Sequence, residues 1–88
     1  MNFELEGWDG FVEALAPEWQ VNSVTEELLK LVPDEGLAKV IWGCLKSDAL
    51  RWLYREVPML DQQRPIDLLS SVEGRQRVKW ILLSSPWW

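Results

Sequence analysis

With 88 residues, 48% of them hydrophobic, and a mean hydropathy of −0.13, the chain reads as one globular domain, near the lower size at which an apolar core holds without staples. Its net charge is −5, with ten acidic and three basic side chains in residues 1–48 against four and six in residues 49–88, a balance that disfavours nucleic acid as the main partner. A single cysteine, Cys44, excludes an internal disulfide framework and fits a reducing, cytoplasmic setting, while no stretch has the layout of a signal peptide or the length to span a membrane.

Helix signals follow one another and strand signals are scarce. Asp9 is placed to cap a short helix holding Phe11, Val12 and Leu15, which Pro17 ends. Ser23 and Glu26 have the spacing of a capping box ahead of Leu28, Leu29 and Val32. Pro33, Asp34 and Glu35 make a first turn, the proline preorganised and the acids facing the positive helix end. The helix they open carries Leu37, Val40, Ile41, Cys44 and Leu45 as one apolar stripe.

Ser47-Asp48 caps a restart that Leu50, Leu53, Tyr54 and Val57 carry on to Pro58. The segment from Pro58 to Arg64 is irregular, anchored by Met59 and Leu60. Pro65 opens a short turn over Ile66–Leu69, and Ser70 with Glu73 forms a second capping box. The last helix then turns Val72, Val78, Ile81 and Leu82 to the core, and Trp8, Trp19, Trp42, Trp52 and Trp80 are expected to pack there too. The expectation is an all-α, compact single domain of five or six short helices over 1–88: acidic N-terminal helices in 1–48, a motif-bearing region in 49–83 and a tail in 84–88.

Catalysis finds little support. The chain has no histidine, the commonest general base and metal ligand. Cys44 sits on an apolar stripe, and Glu26-Glu27 and Asp34-Glu35 occupy helix starts, where dipole compensation accounts for them. The scattered glycines form no phosphate-cradling loop. No catalytic, cofactor-binding or metal-binding residue is expected, and the class is a binding protein rather than an enzyme. The tail points the same way: Pro86-Trp87-Trp88 places two adjacent tryptophans in an end segment, where they are hard to bury in their own core and well suited to a pocket on another protein.

Four motifs occur in order: Trp52-Leu53 within a helix, Pro58-Met59-Leu60, Arg64-Pro65-Ile66-Asp67-Leu68-Leu69, and Glu73-Gly74-Arg75-Gln76-Arg77-Val78. Together they resemble the toxin-binding domain of Xre/MbcA/ParS-type antitoxins of bacterial toxin–antitoxin pairs. The resemblance implies an antitoxin or immunity protein that neutralises a cognate toxin, of RES-type or ADP-ribosyltransferase-like fold and NAD-using, by covering its active-site cleft with the last helix and the tail. The residues implied in partner binding are Arg64, Arg75, Arg77, Lys79, Trp80, Ser84, Pro86, Trp87 and Trp88. Indole rings would stack in an adenine- or nicotinamide-sized slot, while Arg75 or Arg77 meets acidic or phosphate-binding groups.

Two departures from the family pattern stand out. Residues 1–48 are too few and too acidic for the helix-turn-helix domain that many members carry, which tilts the reading towards immunity. Asp61-Gln62-Gln63 also stands where members often have glycines. Gly74 suits either a close helix–helix approach or a surface site. The alternatives are a homo-oligomeric scaffold or adaptor with swapped tails, since a homodimer is the second candidate assembly, and a DNA-associated regulator using the basic face from Arg51 to Lys79.

Overall fold

The computed structural model describes residues 7–84, and side-chain caps set where three of its helices begin. Helix α1 is Trp8–Leu15, followed by a 3-10 turn at Ala16–Glu18; α2 is Ser23–Leu31 and α3 is Glu35–Leu45. A second 3-10 turn, Lys46–Asp48, leads into α4 (Ala49–Leu53), and a third, Pro58–Leu60, precedes α5 (Pro65–Leu68) and α6 (Val72–Ser84). The fold is all-α. Among the described residues, extended backbone pairs in a single isolated bridge, Val57 with Gln63.

The caps sit close to the sequence expectation and rarely on it. Asn22, not Ser23, caps α2: its Oδ1 accepts from the Thr25 N–H at 3.0 Å, and its own N–H donates to Thr25 Oγ1 at 2.9 Å. The reciprocal box therefore closes through Thr25 instead of Glu26, and Thr25 is buried with it. Asp34 is the cap of α3 rather than part of its first turn, accepting from the Leu37 N–H at 3.2 Å. Ser71, one residue after the expected Ser70, accepts from the Gly74 N–H at 2.9 Å at the start of α6. Asp9 lies in the first turn of α1, whose cap position is Gly7 with φ of 84°. Pro65 opens α5 as expected.

Helix α3 is the centre of the fold and packs against α1, α2, α4 and α6. Surrounded on several sides, it buries Ala38 and Trp42 along with Leu37, Val40 and Ile41, so one apolar stripe understates it, and Cys44 and Leu45 are only half-buried. The core continues through Trp8, Leu28, Val32, Trp52, Leu53, Val57, Leu60, Leu69, Val78, Ile81 and Leu82. Trp8, Trp42 and Trp52 are buried as expected and Trp19 is half-buried. The Trp42 Nε1–H donates to the Glu18 carbonyl at 2.9 Å, tying the first 3-10 turn onto α3.

Four apolar expectations for helical residues fail. Helix α4 stops at Leu53, leaving Tyr54 51% exposed beyond it, and the N–H groups of Tyr54 and Arg55 bond the Arg51 and Trp52 carbonyls in a tightened last turn. Leu29 faces out where Thr25 faces in; Val72, at the very start of α6, is 64% exposed; and Trp80 is 45% exposed.

Two glycines mark where helices touch. A Cβ on Gly74 would lie 1.9 Å from the Leu68 carbonyl oxygen, so α6 can cross the end of α5 only with glycine there, and this settles the close-approach reading of that residue. A Cβ on Gly43 would meet the Leu15 side chain at 2.9 Å, where α1 packs on α3.

Candidate partner-binding face

A helical stripe of α6 and the turn facing it form an open groove. Arg77, Trp80 and Ser84 stand three and four residues apart and share one side of α6. Beside them the 3-10 turn Pro58–Leu60 splits its apolar pair: Leu60 is 1% exposed and anchors the turn, whereas Met59 is 46% exposed. Only half of the expected anchor pair is therefore an anchor. Met59, Leu60, Arg77 and Trp80 line a cavity of about 300 Å³.

The turn is held rigidly for so short a segment. The Val57 N–H donates to the Gln63 carbonyl and the Gln62 N–H to the Val57 carbonyl, each at 3.1 Å, and Val57 is buried beneath them. Asp61 and Gln62 both take left-handed backbone, with φ of 58° and 64°. That conformation suits glycine, and non-glycine residues are held in it only when the surroundings impose it. Arg77 closes the clamp, its Nη2 donating to Asp61 Oδ2 at 2.8 Å from across the groove.

The other implied residues are engaged within the domain. Arg64 grips Asp67 through two hydrogen bonds, Nε to Oδ2 at 2.8 Å and Nη2 to Oδ1 at 3.0 Å, and its guanidinium lies 5.9 Å from the Tyr54 ring centroid. The bond between them raises the Arg64 pKa and lowers that of Asp67. Arg75 Nη1 donates to the Leu69 carbonyl at 2.8 Å, satisfying the end of α5. Lys79 reaches inward, its Nζ 2.8 Å from Asp34 Oδ2 and 5.5 Å from the Trp8 ring centroid. Burial alone would raise the Asp34 carboxyl, but the Lys79 bond and charge and the Leu37 and Gly36 N–H groups outweigh it and hold the pKa below its ordinary value. Ser84 Oγ donates to the Trp80 carbonyl at 2.7 Å, closing the last turn of α6. Pro86, Trp87 and Trp88 lie outside the described residues.

The stripe thus brings Arg77, Trp80 and Ser84 together, Arg64 is held by Asp67 at the start of α5, and Arg75 and Lys79 brace α6 from within. Sequence reasoning missed Met59 as a surface residue and Asp61 as the partner of Arg77. A weak signal existed for the first, since a tight turn cannot point two consecutive side chains at one core. None existed for the second.

Burial and the Glu18 charge, partly offset by Lys46, push the Cys44 thiol up to about 11. Among the described residues no three of His, Cys, Asp and Glu gather where they could hold a metal ion, and no helix is long and apolar enough to cross a membrane. A second shallow groove of about 270 Å³ lies between Lys30, Leu31 and Pro33 on one side and Ile66, Leu69 and Ser70 on the other.

A sequence model of the antitoxin Xre/MbcA/ParS C-terminal toxin-binding domain matches residues 30–84, from the last turn of α2 to the end of α6. No curated protein and no solved structure matches the chain. Set on the fold, the motif residues Trp52, Leu53, Leu60, Pro65, Leu69, Gly74 and Val78 are all buried. What the motifs record is chiefly how α4, α5 and α6 pack.

Proposed function

Because the chain belongs to the antitoxin Xre/MbcA/ParS C-terminal toxin-binding family, we propose that it is an antitoxin that inhibits a toxin enzyme through the Arg77–Trp80–Ser84 face of α6 and the residues that follow. The observation that carries this reading is the placement of Trp80. Trp8, Trp42 and Trp52 are buried, whereas Trp80 stands 45% exposed beside Met59 on a rigid groove. A half-exposed indole next to a methionine, rimmed by an arginine, has the composition of an interface anchor.

The mechanism is occlusion. The face of α6 docks at the rim of the toxin's cleft, and Pro86-Trp87-Trp88 continues from Ser84 into it. Indoles fit a slot built for adenine or nicotinamide, which suits a RES-type or ADP-ribosyltransferase-like, NAD-using toxin. Arg77 and Arg64 meet acidic groups at the rim, with Arg75 and Lys79 keeping α6 in place. The chain itself does no chemistry. The setting is the bacterial cytoplasm, and an immunity protein guarding against an injected toxin would use the same face.

The DNA-regulator alternative is less well supported. Arg51, Arg64, Arg77 and Lys79 each lie beside a carboxylate, of Asp48, Asp67, Asp61 and Asp34 respectively, which lowers the positive potential a phosphate backbone needs.

The full chain used as bait in its native lysate tests the proposal, with the captured protein identified by mass spectrometry and assayed for NAD consumption. One NAD-consuming enzyme, silent in the complex and active once released, is the expected result. Recovery of copies of this chain alone would favour the scaffold reading instead.

A further inference from the structure

We infer that the face of α3 and α6 beneath α1 is a receptor site for an amphipathic helix. Helix α1 fills it within the chain, and a partner's helix with the same anchor pattern takes it by displacing α1. Trp8, Phe11, Val12 and Leu15 stand at positions i, i+3, i+4 and i+7, the spacing with which a helix lays one apolar side into a groove. Trp8 is buried, the other three pack on the core, and Asp9, Glu13 and Ala14 face outward. Helix α1 thus meets α3 and α6 as a helical ligand meets its groove.

The receptor side is built for such an occupant. Gly36 and Gly43, seven residues apart, lie on one side of α3 and let α1 come close. A Cβ at Gly43 would meet the Leu15 side chain at 2.9 Å, and one at Gly36 would stand 3.6 Å from Val12 Cγ2. Each end supplies a cation. Lys79 of α6 holds its Nζ 5.5 Å from the Trp8 ring centroid, and Lys46, just after α3, pairs with Glu18, three residues beyond Leu15. These contacts select a helix with an aromatic residue, apolar residues three, four and seven positions on, and a carboxylate three beyond the last. Lys79 lies off the Arg77–Trp80–Ser84 stripe, so the site is separate from the face assigned to the toxin and does not depend on that reading.

Helix α1 is held in its site by docking. It has eight residues, an interior glycine at Gly10 and no side-chain cap, so intrinsic propensity does little to keep it helical. It lies outside residues 30–84, which the family model matches, and residues 19–22, with Val21 85% exposed, join its end of the fold to α2. A helix that depends on docking opens more readily than the core beneath it. The short connection keeps α1 near its site at an effective concentration in the millimolar range. Dilute competitors are therefore excluded, and a partner enters only by matching the anchors.

Two measurements on the full chain test this. By hydrogen exchange, the α1 amides of the native chain should exchange on the order of a hundredfold faster than those of α3. Equal rates would overturn the inference by making α1 and α3 one cooperative unit. In the full-length Trp8→Ala/Leu15→Ala variant, whose own α1 has lost two anchors, a fluorescein-labelled peptide of residues 7–18 should bind. The native chain should bind that peptide about tenfold more weakly, and a Trp8→Ala peptide should bind the variant about tenfold more weakly. No binding of the peptide to a folded variant would overturn the inference. So would equal affinity for the native chain, which would place the peptide elsewhere. If the variant does not fold, exchange in the native chain decides.

Discussion

Gly74 and Leu68 meet backbone to backbone: a Cβ on the glycine would fall 1.9 Å from the leucine carbonyl oxygen. Neither neighbour is the end of a flexible side chain, so nothing can rotate aside. Gly74→Ala should force α6 away from α5 and cost about 3 kcal/mol in urea unfolding. Gly43→Ala, which meets only the movable Leu15 side chain, should cost nearer 1 kcal/mol. Equal costs at the two sites would mean that the α5–α6 crossing is softer than the geometry states.

The Lys79–Asp34 pair makes stability depend on acid in a definite direction. The folded Asp34 pKa is lowered, so its contribution is fully present above the unfolded value of about 3.9 and disappears as pH falls through the lower folded value. Asp34→Asn keeps a capping side chain and removes the charge. The native chain should be the more stable above pH 5, with the difference shrinking towards pH 2.5, read as urea midpoints across that range. A difference that stays constant with pH would assign the effect to the cap instead of the charge.

How much of this was readable in advance depends on distance along the chain. The all-α architecture and the proline-opened α5 follow from local signals, and the structure bears them out. The caps were misread by a residue because Ser23 and Ser70 resemble caps in isolation. The choice of Asn22 rests on reciprocal bonds with Thr25, and that of Ser71 on the bond its Oγ accepts from the Gly74 N–H. Trp80 could not be placed from periodicity, since apolar residues run around much of α6 and the docked Pro58–Leu60 turn decides which side stays open. Arg75 and Lys79 look like solvated charges in sequence, and only the fold reveals Leu69 and Asp34 as their partners.

Backbone strain in the groove's turn is a separate test. Gln62 sits at φ 64°, a left-handed conformation that costs an ordinary residue about 1–2 kcal/mol. Gln62→Gly should raise stability by about 0.5–1 kcal/mol once glycine's greater unfolded-state freedom is deducted. A lower urea midpoint in the variant would show that the Gln62 side chain has a stabilising contact that outweighs the strain.

Cys44 should be a poor nucleophile in the folded protein. With its thiol pushed up to about 11 from 9.0, the folded chain at pH 8 holds on the order of a hundredfold less thiolate than the unfolded one. Iodoacetamide labelling followed by mass spectrometry should be slow in buffer and fast in denaturant. Rapid labelling in buffer would indicate local opening around the end of α3.

The most direct test of the partner-binding face is the calorimetric Kd of the captured partner for the native chain, Trp80→Ala and Leu29→Ala, the last being a comparably exposed residue on α2. Both variants should keep their stability to within about 1 kcal/mol, as surface substitutions do. Trp80→Ala should weaken binding by about 2 kcal/mol, roughly a thirtyfold rise in Kd, while Leu29→Ala leaves it unchanged. A Kd that Trp80→Ala does not move, in a chain that remains folded, would contradict the assignment of the α6 face to the partner.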